Sequence, residues 1–291
     1  MLYTIHNDQI SVQINSLGAQ IMSMKTADQV EYIWQGNEAY WRNRAPVLFP
    51  FVGRFAGGKY LCRGVEYQIG VHGFARDFEF AIEKHDPDKL VMSLKDNEKT
   101  REIYPFYFLF KITYSLSGAT LRISWHVDNK NECLMPFGIG GHPGFNVPLI
   151  DGERFEDYVL EFPVSSLPSR IEFSPTAHLS GIDLPYKLEE GKRIKLRHDL
   201  FDNDAVVLKN MPREVTLRNG DGTRGVRVSY PDIPYVGFWH MNMTDAPYVC
   251  IEPWLSLPGR HEITEEITCK SDLIQLAPNG SWKTQWTIEL F

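Results

Sequence analysis

Apolar and polar side chains alternate with period two along most of the chain. Phe110, Ile112, Tyr114 and Leu116 alternate with Lys111, Thr113 and Ser115; Leu121, Ile123, Trp125 and Val127 alternate with Arg122, Ser124, His126 and Asp128. This period places one set of side chains on each face of a strand. The Ser117-Gly118-Ala119-Thr120 segment between the two runs has turn chemistry, so they read as an antiparallel hairpin. Near the end of the chain, Trp282, Trp286, Ile288 and Leu290 share one face, opposite Lys283, Gln285 and Glu289. At the start, Ile10, Val12 and Ile14 alternate with Ser11 and Gln13, and Leu17-Gly18-Ala19 turns the chain into Ile21 to Met24.

Helical signal is confined to one short candidate, Asn97 to Tyr104, with Asp96 as its N-cap and Pro105 as its stop. Strands joined by turns, with no helices between them, predict antiparallel sheets stacked face to face. No Pro/Gly/Ser linker or repeat of fixed period interrupts the pattern. The expected fold is therefore all-β: one large antiparallel β-sandwich with one or two short helices, spanning residues 1–291 as a single domain.

Composition narrows the function. Hydrophobic residues make up 43% and charged residues 23%, which is ordinary globular usage and excludes a disordered or fibrous chain. Aromatics reach 13%, more than a core requires, and flat rings suit both sheet packing and stacking on sugars. The net charge is −7 with no dense Lys/Arg run, against binding to nucleic acid or an anionic membrane. No stretch approaches the roughly 18 apolar residues of a membrane helix. Cys62, Cys133, Cys250 and Cys269 form no C-x-x-C pair, and the N-terminus has no apolar run of leader length. A cytoplasmic location with reduced thiols is expected, and a homodimer is compatible with the sequence.

Four stretches break the alternation with Gly, Pro, His and charge together: Phe49 to Phe55, Val71 to Asp77, Gly140 to Asn146 and Cys250 to Trp254. Glycine in strands often marks close approach of backbone or ligand. Each stretch alone has a plain structural explanation: a hydrogen-bonded histidine in a turn, or Arg54 at a sheet edge. Glu252, between Ile251 and Pro253, is more pointed, because a carboxylate among apolar residues is costly unless paired or used. His72, His142, His240 and Glu252 have metal-ligand chemistry, but no His-x-His or His-x-x-x-His spacing places two on one element. A G-x-S-x-G elbow, a phosphate-binding Walker loop and a dinucleotide fingerprint are absent, and no second carboxylate stands opposite Glu252. No metal and no cofactor is expected.

Taken together, the four stretches resemble the aldose 1-epimerase (galactose mutarotase-like) superfamily, in the branch that includes the LacX proteins. Six motifs carry the resemblance in order over essentially the whole chain. They are Leu17-Gly18-Ala19, Gly53-Arg54-Phe55, His72-Gly73-Phe74-Ala75-Arg76, Gly141 to Asn146, Asp204 to Leu208 and Ile251-Glu252-Pro253-Trp254. The resemblance implies a sugar cleft on one sheet face and anomer interconversion of a glucose- or galactose-type hexose. Glu252 would be the general base and His142 the general acid; His72, Arg54 and Asp204 would bind hydroxyls, with Asp202 as a competing counterpart. Trp254, Trp34 and Trp239 are candidates to stack on the sugar ring.

The His72-Gly-Phe-Ala-Arg76 stretch is also similar to hexose-6-phosphate mutarotases, in which arginines hold the phosphate; Arg54, Arg76 and Lys59 would serve here. Asp77 beside Arg76, with Asp202 and Asp204 near the cleft, argues instead for a free sugar, since like charges at about 4 Å cost on the order of 1–4 kcal/mol. A carbohydrate-binding protein without catalysis is the remaining alternative.

Overall fold

The computed structural model describes residues 1–291 and is built almost entirely of antiparallel strands. The predicted hairpin is present as Phe108–Ser117 and Thr120–Asn129, with Leu116 opposite Leu121 and Phe110 opposite Val127. Gly118 and Ala119 make the turn, Gly118 at a positive φ of 59°. This hairpin lies within a nine-stranded sheet, flanked by Ser281–Leu290 on one side and Lys89–Lys95 on the other. The apolar face of that sheet, including Phe110, Ile112, Ile123, Trp125 and Trp286, enters a hydrophobic cluster of 67 buried residues.

An eight-stranded sheet covers the other side of this cluster and carries several of the candidate site residues. Its order runs Leu179–Pro185, Ser169–Phe173, Val206–Lys209, Tyr235–Trp239, Tyr248–Trp254, Gly140–Gly141 and Val47–Leu48; Gly144–Asn146 also pairs with Tyr248–Trp254. Val249 and Ile251 point into the main cluster, while Tyr248, Cys250 and Trp254 pack in two smaller clusters on the opposite face. Every residue of Tyr248–Trp254 is buried, because this strand is covered on both sides. Three small sheets complete the fold, one of them formed by the strands Leu2–His6, Ile10–Asn15 and Gln20–Thr26.

The helix forms over Glu98–Ile103, but its cap is Asn97 rather than Asp96. The Asn97 side chain accepts from the Thr100 amide at 3.1 Å, and Thr100 Oγ1 accepts from the Asn97 amide at 2.8 Å, a reciprocal capping box. Asp96 is drawn elsewhere: it accepts from the Phe108 amide and pairs with Arg101.

Candidate active site

Four chain segments meet above the outer face of the eight-stranded sheet. The Phe49–Phe55 and Val71–Asp77 loops are joined backbone to backbone, with the His72 amide donating to the Gly53 carbonyl and the Phe74 amide to the Phe49 carbonyl. Only glycine fits at position 73: φ is +72°, and a Cβ there would lie 2.3 Å from the Phe49 carbonyl oxygen. His72 itself sits at φ +65°, a left-handed conformation a non-glycine residue seldom adopts. The Gly53 amide donates to His72 Nδ1 at 3.1 Å, so the neutral ring carries its hydrogen on Nε2.

These loops, the Gly140–Asn146 segment and the end of Tyr248–Trp254 enclose a cavity of about 410 Å³. Arg54, His72, Arg76, His142, Asp204, Trp239, Glu252 and Trp254 all line it, so most of the site residues expected from the sequence resemblance converge on one place. Asp204 is the aspartate at the cavity; its Oδ1 accepts from the Ala205 amide at 2.8 Å. Asp202 lies instead at a separate surface hollow with His198 and Asp245.

His142 and Glu252 form the centre. Nε2 of His142 is 3.2 Å from Oε2 of Glu252, and the side chains are 9% and 1% exposed. The Trp254 indole N–H donates to the same Glu252 oxygen at 3.2 Å. Trp41 stacks on the His142 ring at 4.8 Å, and Trp239 meets it edge-on at 5.6 Å. This aromatic wrapping removes water. Burial, aided by the charge of Asp204, pushes the Glu252 carboxyl well above its usual range. Burial, with the Arg76 guanidinium nearby, holds His142 down at about 3. His72 is lowered for the same reasons, with His142, Arg76 and Arg54 adding to the burial. Burial therefore makes Glu252 a weaker acid than an unperturbed carboxyl, whose value is about 4.3.

Several assignments are corrected by the tertiary arrangement. Trp34 is not at the cavity: it stacks on Tyr248 at 4.7 Å and donates its indole N–H to the Trp41 carbonyl. Trp41, which sequence reasoning missed because it lies in an irregular loop without a motif, takes the position beside His142. Phe173, Met241, Asn242 and Pro258 also line the cavity and were equally silent in sequence. Lys59 is turned away and pairs with Glu66 at 2.8 Å. His240 is buried elsewhere, 3.1 Å from His198 and bonded through Nδ1 to the Met241 carbonyl, so the four-residue metal set weighed from the sequence is not assembled. The pairing of Arg76 with Asp77 is loose, at 3.8 Å with Asp77 largely exposed, and Arg54 makes no ion pair.

No helix is long and apolar enough to cross a membrane. The sequence profile of the aldose 1-epimerase family matches residues 1–285. The plasmid-encoded LacX protein of Lactococcus lactis subsp. lactis is 33% identical over 298 residues, covering 100% of this chain and 99% of that protein. A galactose mutarotase related enzyme from Lactobacillus acidophilus superposes with a TM-score of 0.95 at 35% identity, over 100% of this chain and 97% of that one. A galactose mutarotase-like protein from Lactobacillus casei gives 0.94 at 29% identity, with both chains fully covered.

Proposed function

Because the chain belongs to the aldose 1-epimerase family, we propose that it interconverts the α and β anomers of a free glucose- or galactose-type hexose in the cytoplasm. The observation that carries this reading is the buried His142–Glu252 pair at the cavity floor. A cyclic aldose is a hemiacetal, and exchanging its anomers requires the bond between C1 and the ring oxygen to break and re-form. One group must take the proton of the anomeric hydroxyl, and another must protonate the departing ring oxygen.

Burial shifts both residues toward their neutral forms, in which the pair carries one proton and no net charge. Catalysis needs that same single proton, placed on His142 with Glu252 ionised. Hydroxyls that hydrogen-bond to Glu252 restore the solvation burial removed, and the proton moves between the two residues over their short separation. Glu252 then accepts the anomeric proton, and His142 donates to the ring oxygen. The open aldehyde rotates about C1–C2, and reversed transfers close the ring on the other face. Each group is worth about 10²–10⁴ in rate. The Trp254 indole aims the carboxylate, and Trp41 and Trp239 hold the imidazole plane. His72 Nε2–H, Arg54, Arg76 and the Asp204 carboxylate provide hydrogen bonds for ring hydroxyls.

The test is polarimetry on fresh α-glucose and α-galactose with EDTA present. Mutarotation well above the buffer rate is expected; none with either sugar or its 6-phosphate would remove the reading. A second reading, mutarotation of a hexose 6-phosphate, is favoured by Arg54 and Arg76, which face the cavity without a close carboxylate partner. The free sugar is preferred because Asp204 lies at the same cavity and would repel a phosphate.

A further inference from the structure

We infer that Cys250, Glu252 and His142 form a binding site for one borderline-soft divalent cation, zinc or its analogue cadmium, beneath the floor of the cleft. The Cys250 sulfur, a Glu252 carboxylate oxygen and a His142 ring nitrogen all lie within 4.8 Å of one another, and all three residues are buried. The fold brings them together for simple reasons. Cys250 and Glu252 are two apart on one strand and so share a face, and Gly140–Gly141 and Gly144–Asn146, which pair with that strand, bracket His142.

The chemistry of the set selects the ion. Thiolate, imidazole and one carboxylate are the ligands zinc takes, whereas magnesium and calcium require six or more oxygens. A tetrahedral zinc with bonds of about 2.0–2.3 Å holds neighbouring ligand atoms about 3.4–3.8 Å apart, so the widest separation here closes by about 1 Å. His142 and Glu252 line the cavity whereas Cys250 lies below it, so the fourth position opens toward the cleft, where water or a sugar hydroxyl completes the shell. On binding, bonds form from the cation to S, N and O, and the cation sheds waters. The thiol proton and the single proton of the Glu252–His142 pair pass to solvent.

Such an ion occupies the proton acceptor and donor at once and blocks ring opening. The ion site stands on geometry alone; its inhibitory consequence rests on the function proposed above. Titrating metal-free protein with cadmium chloride reads the site directly through the ultraviolet charge-transfer band of a cadmium–thiolate bond. One cadmium per chain is expected, with the band absent in Cys250→Ala and Cys250→Ser and kept in Cys269→Ala, which removes the exposed thiol. Polarimetry should show wild-type mutarotation suppressed by cadmium and restored by EDTA. Cys250→Ala should keep its basal rate and need at least about 10–100-fold more cadmium, the order of loss when metal-site groups are removed. No band in wild type, or a band that survives in Cys250→Ala, would overturn the inference. A Cys250-dependent band in a chain that turns over no sugar would keep the site and discard the proposed function.

Discussion

His142 Nε2 and Glu252 Oε2 approach to 3.2 Å with both side chains almost wholly buried. Both sit on the outer face of a sheet whose inner face is the main hydrophobic core, so their positions are fixed by surroundings that cannot easily move. Their shared burial makes each a poor ion, and this has consequences for stability as well as for rate.

Glu252→Gln separates the two. The amide keeps the shape but cannot accept a proton, so turnover should fall by about 10²–10⁴ while sugar affinity stays within several-fold. The folded-state carboxyl titrates above its unfolded value. Its stabilising contribution is complete below about pH 4.3 and is lost as pH rises through the folded value. Removing the titration should raise the melting temperature at pH 8, by about 2–4 °C for each 1 kcal/mol recovered. Calorimetry showing Gln less stable than Glu at pH 8 would contradict the assignment of a strained buried acid.

His142 carries the opposite sign. Its folded value of about 3 lies below the unfolded 6.5, so its contribution is present above pH 6.5 and disappears as pH falls toward 3. The acid limb of kcat/KM should accordingly lie well below pH 6.5, because the free pair gains its second proton only there. An acid limb at the ordinary histidine value, after subtraction of the buffer rate, would mean that His142 is not dry in solution.

Trp41 positions His142 rather than touching a proton in flight. Trp41→Ala opens the imidazole to water and loosens its plane, so the acid limb should move up toward pH 6.5. Turnover should drop by about tenfold to a hundredfold, the scale set by small misplacements of reacting groups. Trp41→Phe should restore most of both. A variant with unchanged pH profile would assign Trp41 to packing alone.

Gly73→Ala tests the joint between the two loops. Its Cβ would sit 2.3 Å from the Phe49 carbonyl at a φ of +72°, so the loops must separate. A loss of stability of about 4 kcal/mol or more is expected, in the exceptional class of single substitutions. Denaturant unfolding with an unchanged midpoint would show that the loops are not rigidly coupled.

Arg76→Ala distinguishes the two substrate readings. If the free hexose is the substrate, kcat/KM for glucose or galactose should exceed that for either 6-phosphate, and the variant should lose a few-fold on all of them. A wild-type preference for the phosphate that weakens steeply with salt and vanishes in Arg76→Ala would reverse the choice.

The sheet architecture was legible because it rests on period-two alternation, a local property: the Phe108–Ser117 and Thr120–Asn129 hairpin follows from which side chains alternate and where Gly118 stands. His72, His142 and Glu252 were also marked in sequence, since glycine, proline and charge interrupt the alternation there and match a known order of motifs. Whether they meet was decided only by folding, because strands 47–48, 140–141 and 248–254 are distant in sequence and adjacent only through backbone pairing. The same holds for partners that no pattern announces. Trp41 replaces Trp34 at the cavity because of an irregular loop path, and Asp204 rather than Asp202 faces the cavity, at a positive φ of 75°. Lys59 and His240 are taken by Glu66 and His198. Protonation belongs to this second class as well. The charge of Glu252 depends on how much water its surroundings exclude, and solvent exclusion is a property of the assembled tertiary structure.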